Sequence, residues 1–369
     1  MTFRTARESD WEAICYADAR AFGFAYTPEE MASARQIHDM SRFELAFDGK
    51  EIVAIAGAFT LQVVVPGGGQ LPMGGLTWVS TAATHRRQGL LTRLMARSLA
   101  DVDRRAEPVA MLGASEGGIY ERYGFGVATH LRATLIDRRL AELRPEFRPK
   151  PGTVRFVDGD DALSHVADVW SRFHRARSGE VDRTEGWHRF LFDARSKPRG
   201  ELGSSTYLAH RDGYAIYRIE PHWNDGRPAH KMDISELVAG TGDAHAALWH
   251  TLLGVDLVGP ITSRQVPLDD PLPFLLTNPR SLETTTLQDG FWANVRDVKA
   301  CFSARTYGNT DQLVIEADGL LFARCYQTLR LVEATPDGFR RLGEVKTHAV
   351  RKATRGMDAV IHMATLRIT

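Results

Sequence analysis

The sequence predicts a mixed α/β fold of the α+β kind, with two domains of similar make in tandem and a smaller α+β module at the C-terminus. Three observations predict it. Apolar strands and amphipathic helices follow one another as helices, hairpin, strand, helix, strand, helix, strand, which mixes antiparallel pairing with a crossover helix. A succession of hairpin, strand and helix recurs after residue 200, as in a degenerate repeat. The 369 residues also exceed what one hydrophobic core usually organises. Prolines and charges cluster from Arg144-Pro145 to Pro151-Gly152 and mark a linker. The expected domains are therefore residues 1–145, 146–290 and 291–369.

Each element has a local reason. Asp10 is a good N-cap for a helix over 11–21, and Thr27-Pro28-Glu29-Glu30 offers a cap, a first-turn proline and dipole-matched acids for a second. Residues 43–47 and 51–65 read as strands around an Asp48-Gly49 turn, the second rich in Ile and Val. Gly67-Gly68-Gly69 and Gly74-Gly75 bracket the next connection, and 76–82 reads as a buried strand. Over 89–103, Leu90, Leu91, Leu94, Met95, Leu99 and Val102 recur at helical spacing, one stripe to lay on a sheet. A short strand over 108–114, a helical turn over 117–122 and a closing strand over 131–136 complete the first domain. In the second, 161–178 and 183–193 read as helices, 205–210 and 214–220 as a hairpin around Asp212-Gly213, 231–238 as a strand and 243–254 as a helix. From about Trp292 alternating segments such as 313–317 and 329–332 suggest the smaller module.

Composition narrows the partners. Forty-six basic residues balance forty-six acidic ones, so the broad attraction that nucleic acid or an anionic membrane would exert is missing. Cys15, Cys301 and Cys325 show no metal-ligand spacing and no disulfide framework, and no metal is expected. The longest uncharged apolar stretch is shorter than the roughly 20 residues of a spanning helix, and the charged N-terminus is no export signal. A cytoplasmic protein with a small-molecule partner is the expectation.

The sharpest chemical signal runs from Leu76 through Thr84-His85-Arg86-Arg87-Gln88-Gly89 to Leu90-Leu91. A strand enters a basic, glycine-containing turn and then an amphipathic helix. Free N–H groups of the first helical turn and the positive end of the dipole form a cradle for phosphate, arginines add charge, and Gly89 lets backbone approach a ligand. The turn has neither the Gly-Lys-Ser/Thr of a Walker loop nor three spaced glycines, which leaves coenzyme A as the remaining common diphosphate. On these residues alone, a solvated helix start accounts for Arg86 and Arg87 equally well.

The stretch resembles the coenzyme A motif of the GNAT acetyltransferase superfamily, with Arg86 and Gly89 matching and Leu91 where many members carry glycine or alanine. The runs Gly75-Leu76-Thr77-Trp78-Val79-Ser80, Ala114-Ser115-Glu116-Gly117-Gly118-Ile119-Tyr120, Val266 to Leu276 and Asp289-Gly290-Phe291-Trp292 resemble the enhanced intracellular survival (Eis) acetyltransferases. That resemblance implies two GNAT-like domains, the second without the cofactor motif, and a sterol-carrier-like C-terminal module. It implies transfer of acetyl from acetyl-coenzyme A, by direct attack, to a primary amine of the aminoglycoside, polyamine or lysine class. A coenzyme A binding or scaffold protein of the same fold is the alternative.

Carried over residue by residue, the resemblance implies that backbone N–H groups of Val79 and Thr81 hold the thioester arm. Arg86, Arg87, Gly89, Leu90 and Leu91 would take the phosphates, with Ser115 on the adjoining wall. Tyr120 would be the general acid toward the sulfur; without the resemblance it reads first as a core aromatic with a satisfied hydroxyl, and Tyr123 is its rival one turn on. The carboxylate of the C-terminal residue, here Thr369, would be the base, although the basic stretch from Glu344 onward departs from the family pattern. Trp11, Phe22, Phe24 and Tyr26 lie where the family builds its amine pocket, though such aromatics are as readily core. A homohexamer is the expected assembly.

Overall fold

The computed structural model describes residues 1–196, 203–306, 311–313, 332–335 and 338–341. The described chain divides into two compact units. The first comprises Met1–Thr129, Arg177–Asp182 and the described residues from Asp289 onward, and the second His130–Ala176 and Arg183–Gln288.

The first unit begins with a strand that the sequence reading does not anticipate, β1 (Thr2–Thr5), paired antiparallel with β2 (Glu44–Asp48). Helix α1 (Trp11–Phe22) starts at Asp10 as expected, but the Asp10 carboxylate does not cap it. Instead it takes two bonds from the Arg4 guanidinium, at 2.7 and 2.9 Å, and one from the Arg7 N–H. A charge-assisted bidentate pair outweighs a single cap bond. Helix α2 (Pro28–Arg35) carries the full capping box, Thr27 with Glu30. Strand β2 turns at Gly49 into β3 (Glu51–Val64), and β4 (Gln70–Thr81) returns beside it.

Gly74 and Gly75 lie inside β4 and not in a connection. The reason is close approach: a Cβ on Gly74 would come 2.6 Å from Val102 Cγ2, where the following helix crosses the sheet. That helix, α3 (Leu90–Arg104), buries Leu90, Leu94, Met95, Leu99 and Val102 as its spacing predicts, while Leu91 stays half-buried. At about 1.5–3 kcal/mol for each fully buried apolar side chain, this stripe is the main anchor of the crossover. Strands β5 (Val109–Gly113) and β6 (Gly126–Val127) follow.

The next strands do not stay in chain order. β7 (His130–Asp137), expected to close the first sheet, belongs to the second. There it pairs antiparallel with a strand more than a hundred residues later, Ile136 opposite Ile261. The second unit contains β8 (Val154–Val157), α4 (Gly159–Arg175), α5 (Glu185–Ser196), β9 (Thr206–His210), β10 (Gly213–Glu220) and the small hairpin β11 (Trp223–Asn224) and β12 (Arg227–Pro228). It continues with β13 (His230–Ala239), α6 (Gly242–Leu253), β14 (Val258–Pro267), α7 (Leu272–Leu275) and β15 (Leu282–Asp289). The sheet order is β15-β7-β14-β13-β10-β9-β8, over a core of Ile136, Leu208, Met232, Leu248, Leu252 and Ile261.

β16 (Phe291–Val295), read from sequence as the opening of a third module, instead enters the first sheet, whose order is β1-β2-β3-β4-β5-β16-β6. It pairs antiparallel with β5, Trp292 opposite Leu112, and so seals what would otherwise be an exposed edge. After α8 (Val298–Ser303), the strands β17 (Asp311–Leu313), β18 (Val332–Thr335) and β19 (Gly338–Arg341) form a three-stranded antiparallel sheet. The alternating segment 329–331, Cys325 and Thr369 lie outside the described residues. Among the described residues, no helix is long and apolar enough to cross a membrane.

Candidate active site

Two strands that part create the site. β4 and β5 are parallel and share register only at Met73↔Val109, Gly74↔Ala110 and Gly75↔Met111. Beyond Gly75 they separate, because β4 is bent by a bulge: Trp78 and Val79 together face Ala56 of β3, and Trp78 takes the left-handed backbone with φ 52°. Past the bulge, Ser80 pairs with Ile55, and Ala82 donates its N–H to Val53 at 2.8 Å. Alternation along the strand then turns the N–H groups of Val79 and Thr81 away from β3, toward the gap that β5 has left. These are the two donors the sequence reading nominates.

At the end of β4 the chain makes a basic turn. Arg87 (φ 63°) and Gly89 (φ 75°) both adopt the left-handed region, uncommon for an arginine, and no side chain caps α3. Arg93 makes the first helical bond, to the Gly89 carbonyl, so the N–H groups before it have no acceptor within the helix. A Cβ on Gly89 would meet nothing within 4 Å, so the backbone is open to a ligand. The first turn holds no acid, and Arg86 reaches out from it, 65% exposed and 4.0 Å from Glu116. Open donors, dipole and guanidinium suit a diphosphate. Leu90 is buried beneath this turn, Leu91 flanks it, and neither offers a side-chain polar group.

Tyr120 lies under the gap. It is 4% exposed and packs with Met95, Leu112, Phe125 and Trp292, while Val79, Leu91 and Ala114 border the same cluster. Burial raises its pKa, against a hydrogen bond with Ser115 that lowers it, and Glu116 adds to the rise. The phenol therefore keeps its proton at neutral pH. Tyr123 is engaged elsewhere: its hydroxyl meets Thr92 at 3.2 Å and its carbonyl accepts from Asn294 Nδ2 at 2.8 Å. Val79 and Leu91 thus border the cluster that holds Tyr120, Ser115 is hydrogen-bonded to that phenol, Arg86, Arg87, Gly89 and Leu90 belong to the turn that leads into Leu91, and Thr81 ends β4 two residues after Val79. His85 faces Asp48 and Thr84 and takes no place among them.

An aromatic wall adjoins the opening. Trp78 stacks on Trp11 at 5.4 Å and on Tyr26 at 5.5 Å, and its ring lies 4.9 Å from His38. Beyond it a cleft of about 600 Å³ is lined by Trp11, Glu12, Tyr16, Tyr26, Met31 and Arg35, all from α1, α2 and the segment joining them. Phe22 and Phe24, half exposed, flank these helices without lining the cleft. Sequence reading misses Trp78 and Trp292. Both sit in stretches quoted for their likeness alone, and the positive φ of Trp78 leaves no mark, since such a residue reads as any strand residue. Among the described residues, no group of three or more His, Cys, Asp or Glu side chains could hold a metal.

Comparison with known proteins agrees with this geometry. An acetyltransferase (GNAT) domain profile matches residues 2–128, and a second acetyltransferase (GNAT) profile matches residues 179–296. The chain is 34% identical to the N-acetyltransferase Eis of Mycobacterium tuberculosis over 336 residues, covering 88% of this chain and 82% of that one. It is also 34% identical, over 325 residues, to an uncharacterized N-acetyltransferase of Streptomyces avermitilis, covering 85% and 78%. Among solved structures, Eis1 from Mycobacterium abscessus superposes with a TM-score of 0.78 at 30% identity, over 95% of this chain and 86% of that one. A GCN5-related N-acetyltransferase from Anabaena variabilis shares the fold, with a TM-score of 0.76 at 16% identity over 94% and 86%.

Proposed function

The chain belongs to the Eis-type GNAT N-acetyltransferases, enzymes that use acetyl-coenzyme A as co-substrate, and from that premise we propose how its first unit performs the transfer and on what. One observation supports the reading: residues 2–128, matched by the first GNAT profile, contain parted strands, an uncapped basic helix start and a buried phenol whose cluster Val79 and Leu91 border. The uncapped start of α3, with Arg86 and Arg87, receives the pyrophosphate of acetyl-coenzyme A. The Val79 and Thr81 N–H groups hold the pantetheine arm and take charge from the thioester oxygen as it develops. Tyr120, kept protonated by burial, gives its proton to the departing sulfur, with Ser115 fixing the phenol's direction.

The acceptor is a primary amine of a small polycation or a lysine side chain, attacking directly. Support comes from the cleft behind Trp78, whose walls combine aromatic faces with the Glu12 carboxylate; Arg35, its one lining cation, is engaged by Glu8. A C-terminal carboxylate at Thr369 is the base that the family resemblance suggests. We further propose a soluble, cytoplasmic homohexamer, for which family likeness is the support, and an altered sterol-carrier-like module in the chain beyond β16.

Thiol release from acetyl-coenzyme A, measured against a panel of aminoglycosides, polyamines and lysine peptides, tests the reading. Release with at least one amine is the expected outcome. Thermal stabilisation by coenzyme A without release from any amine would point to a binding protein that has lost turnover.

A further inference from the structure

Behind the cleft wall sits a carboxylate that the transfer scheme does not use. Asp18, on the inner face of α1, is 3% exposed. Its Oδ2 accepts the Tyr26 hydroxyl at 2.9 Å, while its Oδ1 is buried with no hydrogen-bond partner. An acid in that state is costly to keep unless it has a task. Tyr26 faces the other way as well: it lines the cleft and stacks on Trp78, the residue next to Val79. A hydroxyl at the acceptor cleft is therefore wired to a buried oxygen acceptor, one stacked ring from the thioester donors.

We propose that Tyr26 and Asp18 form the proton-accepting pair for the acceptor amine, in place of the Thr369 carboxylate that the family resemblance suggests, Tyr26 meeting the ammonium and Asp18 acting behind it as the positioning carboxylate. The proposal rests on the reading that the acceptor amine occupies this cleft. In the step, an N–H bond of the ammonium breaks and its proton passes to the Tyr26 oxygen as the Tyr26 proton moves to Asp18 Oδ2. The neutral amine then attacks, the N–C bond forms and the C–S bond breaks. The second proton passes from the nitrogen to the Tyr120 oxygen as Tyr120 gives its own proton to the sulfur, and Asp18 returns the first proton to solvent, so one proton is released per turnover.

The surroundings suit the task. Burial pushes the Asp18 pKa up to about 6, against the lowering bond from Tyr26. Tyr26 is raised by burial and by Asp18, so it stays protonated and transmits rather than stores the proton. The other groups bearing on the pair are Cys15, on α1, and Glu30, on α2, with Glu12 acting on Cys15. All are acidic, and none would draw Asp18 toward ionisation. The Cys15 thiol, pushed up to about 12 mainly by burial, is inert beside it.

The test is the pH profile of kcat/KM for an amine that the wild-type protein acetylates, in Asp18→Asn and Tyr26→Phe. The wild type should show an acid limb near pH 6. Asp18→Asn should lose that limb and drop in kcat by ~100-fold, with coenzyme A affinity by calorimetry unchanged and the fold intact by circular dichroism. Tyr26→Phe, which removes the relay and leaves the carboxylate, should drop comparably, and Asp18→Glu should restore part of the rate. A wild type that turns over while Asp18→Asn keeps both rate and acid limb overturns this inference and leaves the transfer reading standing. A wild type that acetylates no amine overturns both.

Discussion

The two units repeat one backbone device and load it differently. In the first, β4 carries a one-residue bulge at Trp78-Val79 just past its last register with β5, at Gly75. In the second, β13 has an extra residue at the same stage, between Ile234 and Glu236, and its parallel register with β14 runs only to Ile234↔Ser263. Both strands lead into a crossover helix. There the likeness ends. Helix α3 opens on Gly89 with no capping side chain and no acid in its first turn. Helix α6 opens on Thr241, whose hydroxyl takes the Ala244 N–H at 3.1 Å, with Asp243 in the first turn. Its donors are partly consumed and its dipole already neutralised.

Beyond the bulges the walls differ too. The first unit presents Val79 and Thr81, whereas the second places a buried carboxylate, Glu236, held by Arg183 at 2.6 Å and Arg195 at 2.8 Å. That carboxylate already takes the guanidinium donors an incoming anion would need. The lesson is that fold and site separate: strand parting and crossover are architecture common to both units, while the unused donors at a helix start belong to the first alone.

Five experiments break or sharpen that contrast. Tyr120→Phe should have the largest effect, lowering kcat by ~100-fold or more, with coenzyme A affinity held within about twofold by calorimetry. Loss of affinity with turnover retained would mean the phenol binds and does not donate.

Buried acids give the second test, because the units treat them oppositely. Desolvation alone would raise Glu236, but its two arginines bring it down to about 2, whereas Asp18, with only a phenol beside it, is raised to about 6. A raised carboxylate costs stability as pH climbs from its unfolded value of 3.8 through about 6. Between about pH 4 and pH 7.5 the stability of Asp18→Asn relative to wild type should therefore rise by roughly 3 kcal/mol. Denaturant unfolding at the two pH values measures it, and a difference that does not change with pH would refute the assignment.

Third, Gly89→Asp transplants the second unit's chemistry into the first. Nothing crowds a Cβ there, and aspartate tolerates φ 75°, so the fold should persist. Coenzyme A affinity should fall by ~100-fold, a loss on the order of 3 kcal/mol. Fourth, Arg86→Ala should weaken coenzyme A only about tenfold, because the side chain is 65% exposed and screened, and the difference should shrink at high salt. Last, Thr241→Ala should remove about 1 kcal/mol of stability and leave coenzyme A binding untouched; any change in affinity would place a site in the second unit.

Some of this was legible from residues alone. The α3 stripe, the Thr27-Glu30 capping box and the Asp48-Gly49 hairpin follow from local spacing, and the structure has all three. The opening around Gly89 was legible as well, since a basic glycine turn between a strand and an amphipathic helix is a local pattern. The Asp10 carboxylate was misjudged because its better partner, Arg4, reaches it only once β1 has formed. Gly74 was taken for a turn because the close crossing of Val102 over it cannot be read from neighbours in the chain.

What the sequence determined by itself is every element whose cause lies within a few residues: helix faces, tight turns, the Thr27 capping box and the basic, uncapped start of α3. What only the tertiary structure decided is which strands share a sheet and what each buried charge meets. β7 leaves its predecessors for β14, and β16 returns from residue 291 to lie beside β5. Arg42, an ordinary surface residue on paper, is closed between Glu107 at 2.6 Å and Asp101 at 3.3 Å. The physical reason is range: hydrogen bonds within a helix or turn are local and leave a mark on the sequence, whereas strand pairing and burial join residues whose distance along the chain carries no such mark.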